Sequence, residues 1–94
     1  MKKYRVSQDL LPYVRRILTR REHRYRIVKE GDDYHVLMMI SSEAFHAIIK
    51  RAACEKLSKE TGWTYLTEDE AANPMRASRI LNEVHATSFL VYKK

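Results

Sequence analysis

The side chains best suited to chemistry in this chain are cations, and they crowd its first third. Across residues 1–29, Lys2, Lys3, Arg5, Arg15, Arg16, Arg20, Arg21, Arg24, Arg26 and Lys29 stand against only Asp9 and Glu22, a balance of +8. The remaining residues hold eight basic and ten acidic side chains, so the net charge of +6 arises entirely from that segment. Seven of its ten cations are arginine. The planar guanidinium offers two parallel hydrogen bonds to a phosphate or a carboxylate, which a lysine ammonium cannot do. A cationic segment of this kind points to an anionic partner.

Other reactive residue types carry weaker signals. His23, His35, His46 and His85 are scattered, with no H-x-x-x-H spacing, and Cys54 is the sole cysteine. Neither pattern builds a metal site, and no metal or cofactor is expected. Cys54 falls opposite the apolar stripe of its helix, one turn from Lys50, and reads as a free thiol with no identifiable histidine partner. Glu30, Asp32 and Asp33 cluster at a turn, where Asp and Gly suit the backbone. Glu68, Asp69 and Glu70 cluster at a helix start, where negative charge is favoured. A metal-independent ribonuclease would need an arginine beside a proton-transfer group. Arg24, Arg26, His35, Tyr92 and Lys93 supply the types, but their spacing does not demand such a site, and no catalytic residue is assigned.

The elements that must position these groups follow from periodicity. Lys2 to Ser7 alternates as a strand, with Tyr4 and Val6 on one face and Lys3 and Arg5 on the other. Asp9 is expected to cap a helix running to about Glu22, with Pro12 in its first turn and Leu10, Leu11, Val14, Ile17 and Leu18 inward. Arg15, Arg16 and Thr19 then point outward, with Arg20 at the border. His23 to Ile40 reads as a hairpin: a basic strand Arg24 to Lys29, the turn Glu30-Gly31-Asp32-Asp33, and an apolar strand Tyr34 to Ile40 whose two faces both look covered. Ser41 or Ser42 opens a second helix, with Phe45, Ile48, Ile49, Ala52 and Ala53 inward and Gly62 as its stop. Trp63 to Leu66 is a short strand. Thr67 and Glu70 form a capping box, and Asn73-Pro74 restarts the helix with Ala77, Ile80, Leu81 and Val84 inward. Thr87 to Tyr92 is a final strand before Lys93 and Lys94.

This order predicts an α+β fold in one compact domain over 1–94. An antiparallel sheet carries helices on one face, in the ferredoxin-like split β-α-β plan (β-α-β-β-α-β), with a C-terminal α-β extension. The first and third strands are expected at the centre. The open face of the sheet should then carry Lys3, Arg5, Arg24 and Arg26 beside His35, Leu37 and Met39. Cations alternating with apolar groups make a plausible platform for nucleic acid.

The functional expectation is a small, non-catalytic nucleic-acid-binding protein. Lys3, Arg5, Arg15, Arg16, Arg20, Arg24 and Arg26 are the expected phosphate contacts, and His35 a base-edge or stacking partner. The alternative is a homodimeric regulatory or adaptor protein that binds an acidic partner protein, with Leu37 and Met39 on the contact surface and Met38-Met39 as a repacking pair. The longest apolar run, Val36 to Ile40, is far short of the ~20 residues of a membrane helix, so no membrane partner is expected. A polar N-terminal segment and a single cysteine fit the reducing cytoplasm.

Overall fold

In a computed structural model, which describes residues 1–93, the chain is mixed helix and strand and divides into two compact units, Met1–Ala52 and the remainder from Ala53. Lys94 lies outside the described residues.

The first unit is built on three strands, β1 (Lys2–Val6), β2 (Arg26–Glu30) and β3 (Asp33–Met38), with α1 (Leu11–Arg20) between β1 and β2. All pairings are antiparallel and the order is β1-β3-β2. β3 is therefore central and β1 is an edge strand, which corrects the expectation that both would be central. β2 and β3 meet in a two-residue turn, where Gly31 takes φ +62, a left-handed conformation that glycine adopts without steric cost. Register puts Tyr4 opposite Val36 and Val36 opposite Ile27, so one face is apolar. It meets Val14, Ile17 and Leu18 of α1, and Phe45, Ile48 and Ala52 of α2 (Ser42–Thr61). Tyr4 and Phe45 stack with centroids 4.3 Å apart and planes 7° from parallel, and the Tyr4 hydroxyl donates to the Ile40 carbonyl.

Several boundaries differ from those expected. The N-cap position of α1 is Leu10, not Asp9, and Leu10 makes no side-chain cap bond. The carbonyl of Ser7 accepts from the amides of Leu10 and Leu11 instead, so a backbone turn does the capping. α1 ends at Arg20, because Glu22 turns left-handed at φ 58. β2 begins at Arg26, leaving Arg24 in the preceding connection, and β3 ends at Met38, leaving Met39 in a bend. Cys54 is fully buried, not turned away from the packed side of its helix.

In the second unit, β4 (Tyr65–Thr67) pairs with β5 (Leu90–Tyr92) in parallel, with α3 (Glu68–Ala72) and α4 (Pro74–Glu83) between them. Both strands are shorter than expected, and Trp63 stays exposed ahead of β4. β4 does not extend the three-stranded sheet as a fourth strand. Its ladder partner is β5, which the helical crossover through α3 and α4 returns parallel to it. Leu66, Ala77 and Ile80 are buried together. Thr67 and Glu70 make the reciprocal capping box, and the Asn73 side chain accepts from the amides of Met75 and Arg76.

Candidate nucleic-acid interface

The two faces of the first unit's sheet decide where each cation goes. α1 covers the apolar face, so its basic side points away from the sheet. The cations of the strands lie on the opposite, open face. Arg24 apart, the expected phosphate contacts thus form two patches on opposite sides of the first unit, not one.

The helix patch is a shallow surface groove lined by Pro12, Arg15, Arg16, Thr19, Arg20 and Tyr25. The 3.6-residue period explains it: Val14, Ile17 and Leu18 are buried, which turns positions 12, 15, 16 and 19 outward. Thr19 Oγ1 and the Tyr25 hydroxyl are hydrogen-bonded at 2.9 Å. The Arg16 guanidinium lies 5.2 Å from the centroid of the Tyr13 ring, a cation–π contact that holds the fork near the groove. Three guanidinium groups, two hydroxyls and no carboxylate line this groove. That set can bind an anion through several charge-assisted bonds at once.

The sheet patch has a different balance. Register aligns Lys3, Leu37 and Arg26 in one row, and Arg5, His35 and Val28 in the next. Two acidic residues from the turn end of the hairpin, Glu30 and Asp33, also reach these cations. Lys3 Nζ is 2.5 Å from Glu30 Oε1, an ion pair that spans the central strand from one edge to the other. Arg5 lies 3.0 Å from Asp33 Oδ1. The hydrogen bond from Lys3 is the main cause that holds the Glu30 carboxyl below its ordinary value, with the Lys3 and His35 charges adding to it. Two of the expected phosphate contacts are thus charge-compensated. His35 is half-buried, and its Nδ1 is buried without a hydrogen-bond partner among the described residues. Leu37 is half-buried and Met39 is exposed. Arg24 is exposed in the connection after α1 and belongs to neither row.

Tyr25, in the connection before β2, is half-buried and packs against the first unit's core as well as lining the groove. Its contribution to the groove comes from the chain leaving the helix at Arg20, which brings the next tyrosine back to Thr19. A six-residue separation across a helix end has no periodic signature, so the pairing was not legible in the sequence. Arg26 and His35, proposed groups of a ribonuclease site, sit one diagonal step apart on the open face, whereas Tyr92 and Lys93 belong to the second unit. Among the described residues, no group of three His, Cys, Asp or Glu side chains could hold a metal ion, and no helix is long and apolar enough to cross a membrane.

Comparison with known proteins returned no match: no family model, no curated protein and no solved structure is significantly similar to the chain.

Proposed function

We propose that this protein binds nucleic acid, without catalysis, through the phosphate backbone, and that the outer face of α1 is the main contact. The observation that supports this reading is the α1 groove: Arg15, Arg16 and Arg20 around the Thr19–Tyr25 hydroxyl pair, with no acidic lining residue. Phosphate contacts dominate nucleic-acid affinity, and arginine is well matched to them. The open sheet face is a secondary contact. Its Lys3 and Arg5 must leave Glu30 and Asp33 to bind phosphate, whereas Arg26 and His35 serve with Leu37 as the base platform. The ferredoxin-like plan enters the proposal for the first unit alone. The β1-α1-β2-β3 run with order β1-β3-β2 supports a split β-α-β, and that arrangement places the open face and the α1 face apart.

The test is fluorescence anisotropy of labelled single- and double-stranded DNA and RNA, near physiological salt and across a salt series. In the Arg15→Glu, Arg16→Glu variant, affinity should fall at least roughly tenfold, and the log–log salt slope should flatten by about one per lost contact. Lys3→Met with Arg5→Met should change affinity by less than about threefold, since those cations are already paired. Unchanged affinity in a folded Arg15→Glu, Arg16→Glu variant would remove α1 as the interface. A loss confined to the sheet variant would move the site to the open face.

A further inference from the structure

We infer that the α1 groove takes double-stranded nucleic acid of any sequence, because it offers cations to phosphates and no ring to an unpaired base. This ligand class rests on the nucleic-acid reading of the same groove. Proteins that hold single strands combine a cationic track with aromatic rings on which successive bases stack. The first unit has five tyrosine and phenylalanine rings, and each is already engaged. Tyr4 and Phe45 are stacked on one another. Tyr13 and Tyr25 pack against the core. The Arg16 guanidinium lies over the Tyr13 ring, and the Tyr25 hydroxyl is bonded to Thr19 Oγ1. The Lys29 ammonium stands over the Tyr34 ring, 5.7 Å from its centroid. Arg26, His35 and Leu37 lie on the open face, with the sheet between them and α1, so a strand seated in the groove does not meet that platform.

What the groove does offer is an ordered set of cations. Arg16 and Arg20 stand four residues apart, about 6 Å along the helix axis, and Arg15 flanks Arg16. The contact with Tyr13 restrains Arg16 ahead of binding. A duplex likewise holds its phosphates in place, with one charge per about 1.7 Å of its axis. Two ordered arrays meet with little loss of freedom, whereas a single strand must first be ordered.

Magnitudes decide between the two strand forms. Counterion release gives a log–log salt slope of about −0.9 per phosphate contact on duplex DNA and about −0.7 on single strands. For the three arginines of the groove, that difference favours the duplex by about threefold near physiological salt. One base stacked on a free ring would favour a single strand by roughly fivefold or more and reverse the order. With the rings engaged, the electrostatic difference prevails. Phosphate contacts carry no sequence information, so base composition should not matter.

The experiment titrates the full chain into labelled single strands and into duplexes of the same length, as DNA and as RNA, across a salt series. Duplexes should bind at least about threefold more tightly near physiological salt, with the steeper slope. Duplexes rich in A·T and in G·C should agree within about twofold. Duplex DNA and duplex RNA share the phosphate array, so an advantage of either over its own single strand supports the assignment, and the tighter one names the source. Tyr13→Leu keeps an apolar side chain against the core and should change single- and double-strand affinity by the same factor. Single strands that bind as tightly as duplexes would overturn the duplex assignment while leaving nucleic-acid binding in place. In that event quenching of Trp63, the only tryptophan and an exposed ring of the second unit, would place the base contact there. A Tyr13→Leu loss confined to single strands, or a tenfold or greater dependence on base composition, would overturn it equally. No binding to any of the four nucleic acids would remove the nucleic-acid reading itself, and the duplex assignment with it.

Discussion

At the scale of single residues, Glu30 gives the clearest pH prediction. Its carboxyl is held below the ordinary 4.5 chiefly by the hydrogen bond from Lys3. A depressed carboxyl contributes stability at pH above its unfolded value, and that contribution disappears as pH falls through the folded value. In Lys3→Met the titration midpoint of Glu30, followed by carbon-13 NMR of the side chain, should rise toward 4.5. A midpoint that stays put would mean the Lys3–Glu30 pair does not persist in solution. Cys54 gives a second prediction. It is fully buried in α2, so a thiol reagent should leave it unmodified in native buffer and label it once the chain is denatured. Rapid labelling without denaturant would contradict that burial. Sequence periodicity misjudged this residue because helix faces are assigned from apolar neighbours. Arg51 is also buried, so the packed side of α2 is wider than the stripe of Phe45, Ile48 and Ala52 suggests.

At the scale of elements, the helix ends separate what was legible from what was not. Gly62 stops α2, the Thr67–Glu70 box starts α3, and Asn73 with Pro74 starts α4. Each has a side chain, or the lack of one, that announces the boundary. α1 and α4 end differently. Beyond α1 the amides of Glu22 and His23 bond back to the carbonyls of Thr19 and Leu18, and beyond α4 those of His85 and Ala86 bond to Asn82 and Leu81. This is the Schellman arrangement, with Glu22 at φ 58 and His85 at φ 57 in the position that usually holds glycine. No residue type marks these ends, which is why the first helix was expected to run to Glu22. The geometry makes a prediction of unusual sign. Glu22→Gly should stabilise the protein by about 0.5–1 kcal/mol in urea unfolding, because relief of the left-handed strain exceeds the added chain entropy. A destabilised variant would show that the Glu22 side chain contributes more than its backbone costs. Conversely, Asn73→Ala removes the acceptor of two amides and should cost about 1 kcal/mol.

At the scale of the whole molecule, charge and core are both unevenly shared. Met1–Ala52 holds twelve basic and six acidic residues, and the remainder holds six of each, so the first unit carries the entire net charge. That asymmetry was legible in composition alone. The division of the strands between two sheets was not, because the element order fits a four-stranded plan as well as a three-plus-two arrangement, and only pairing distinguishes them. Among the described residues, the first unit's core cluster has nine buried members and the second's has three. Local stability follows buried apolar contact. Amides of β4 and α4 should therefore exchange with solvent faster than those of β3 and α1 in native-state hydrogen exchange. Uniform protection across both units would instead indicate one cooperative transition. The parallel pair adds a matter of timing. Tyr65 of β4 pairs with Leu90 of β5, and α3 and α4 intervene. On the ribosome, β1, β2 and β3 are all made before β4 exists, whereas β4 must wait for two helices to be translated before its ladder partner emerges. Vectorial synthesis thus gives the antiparallel sheet a head start and leaves β4 without its ladder partner until β5 is made.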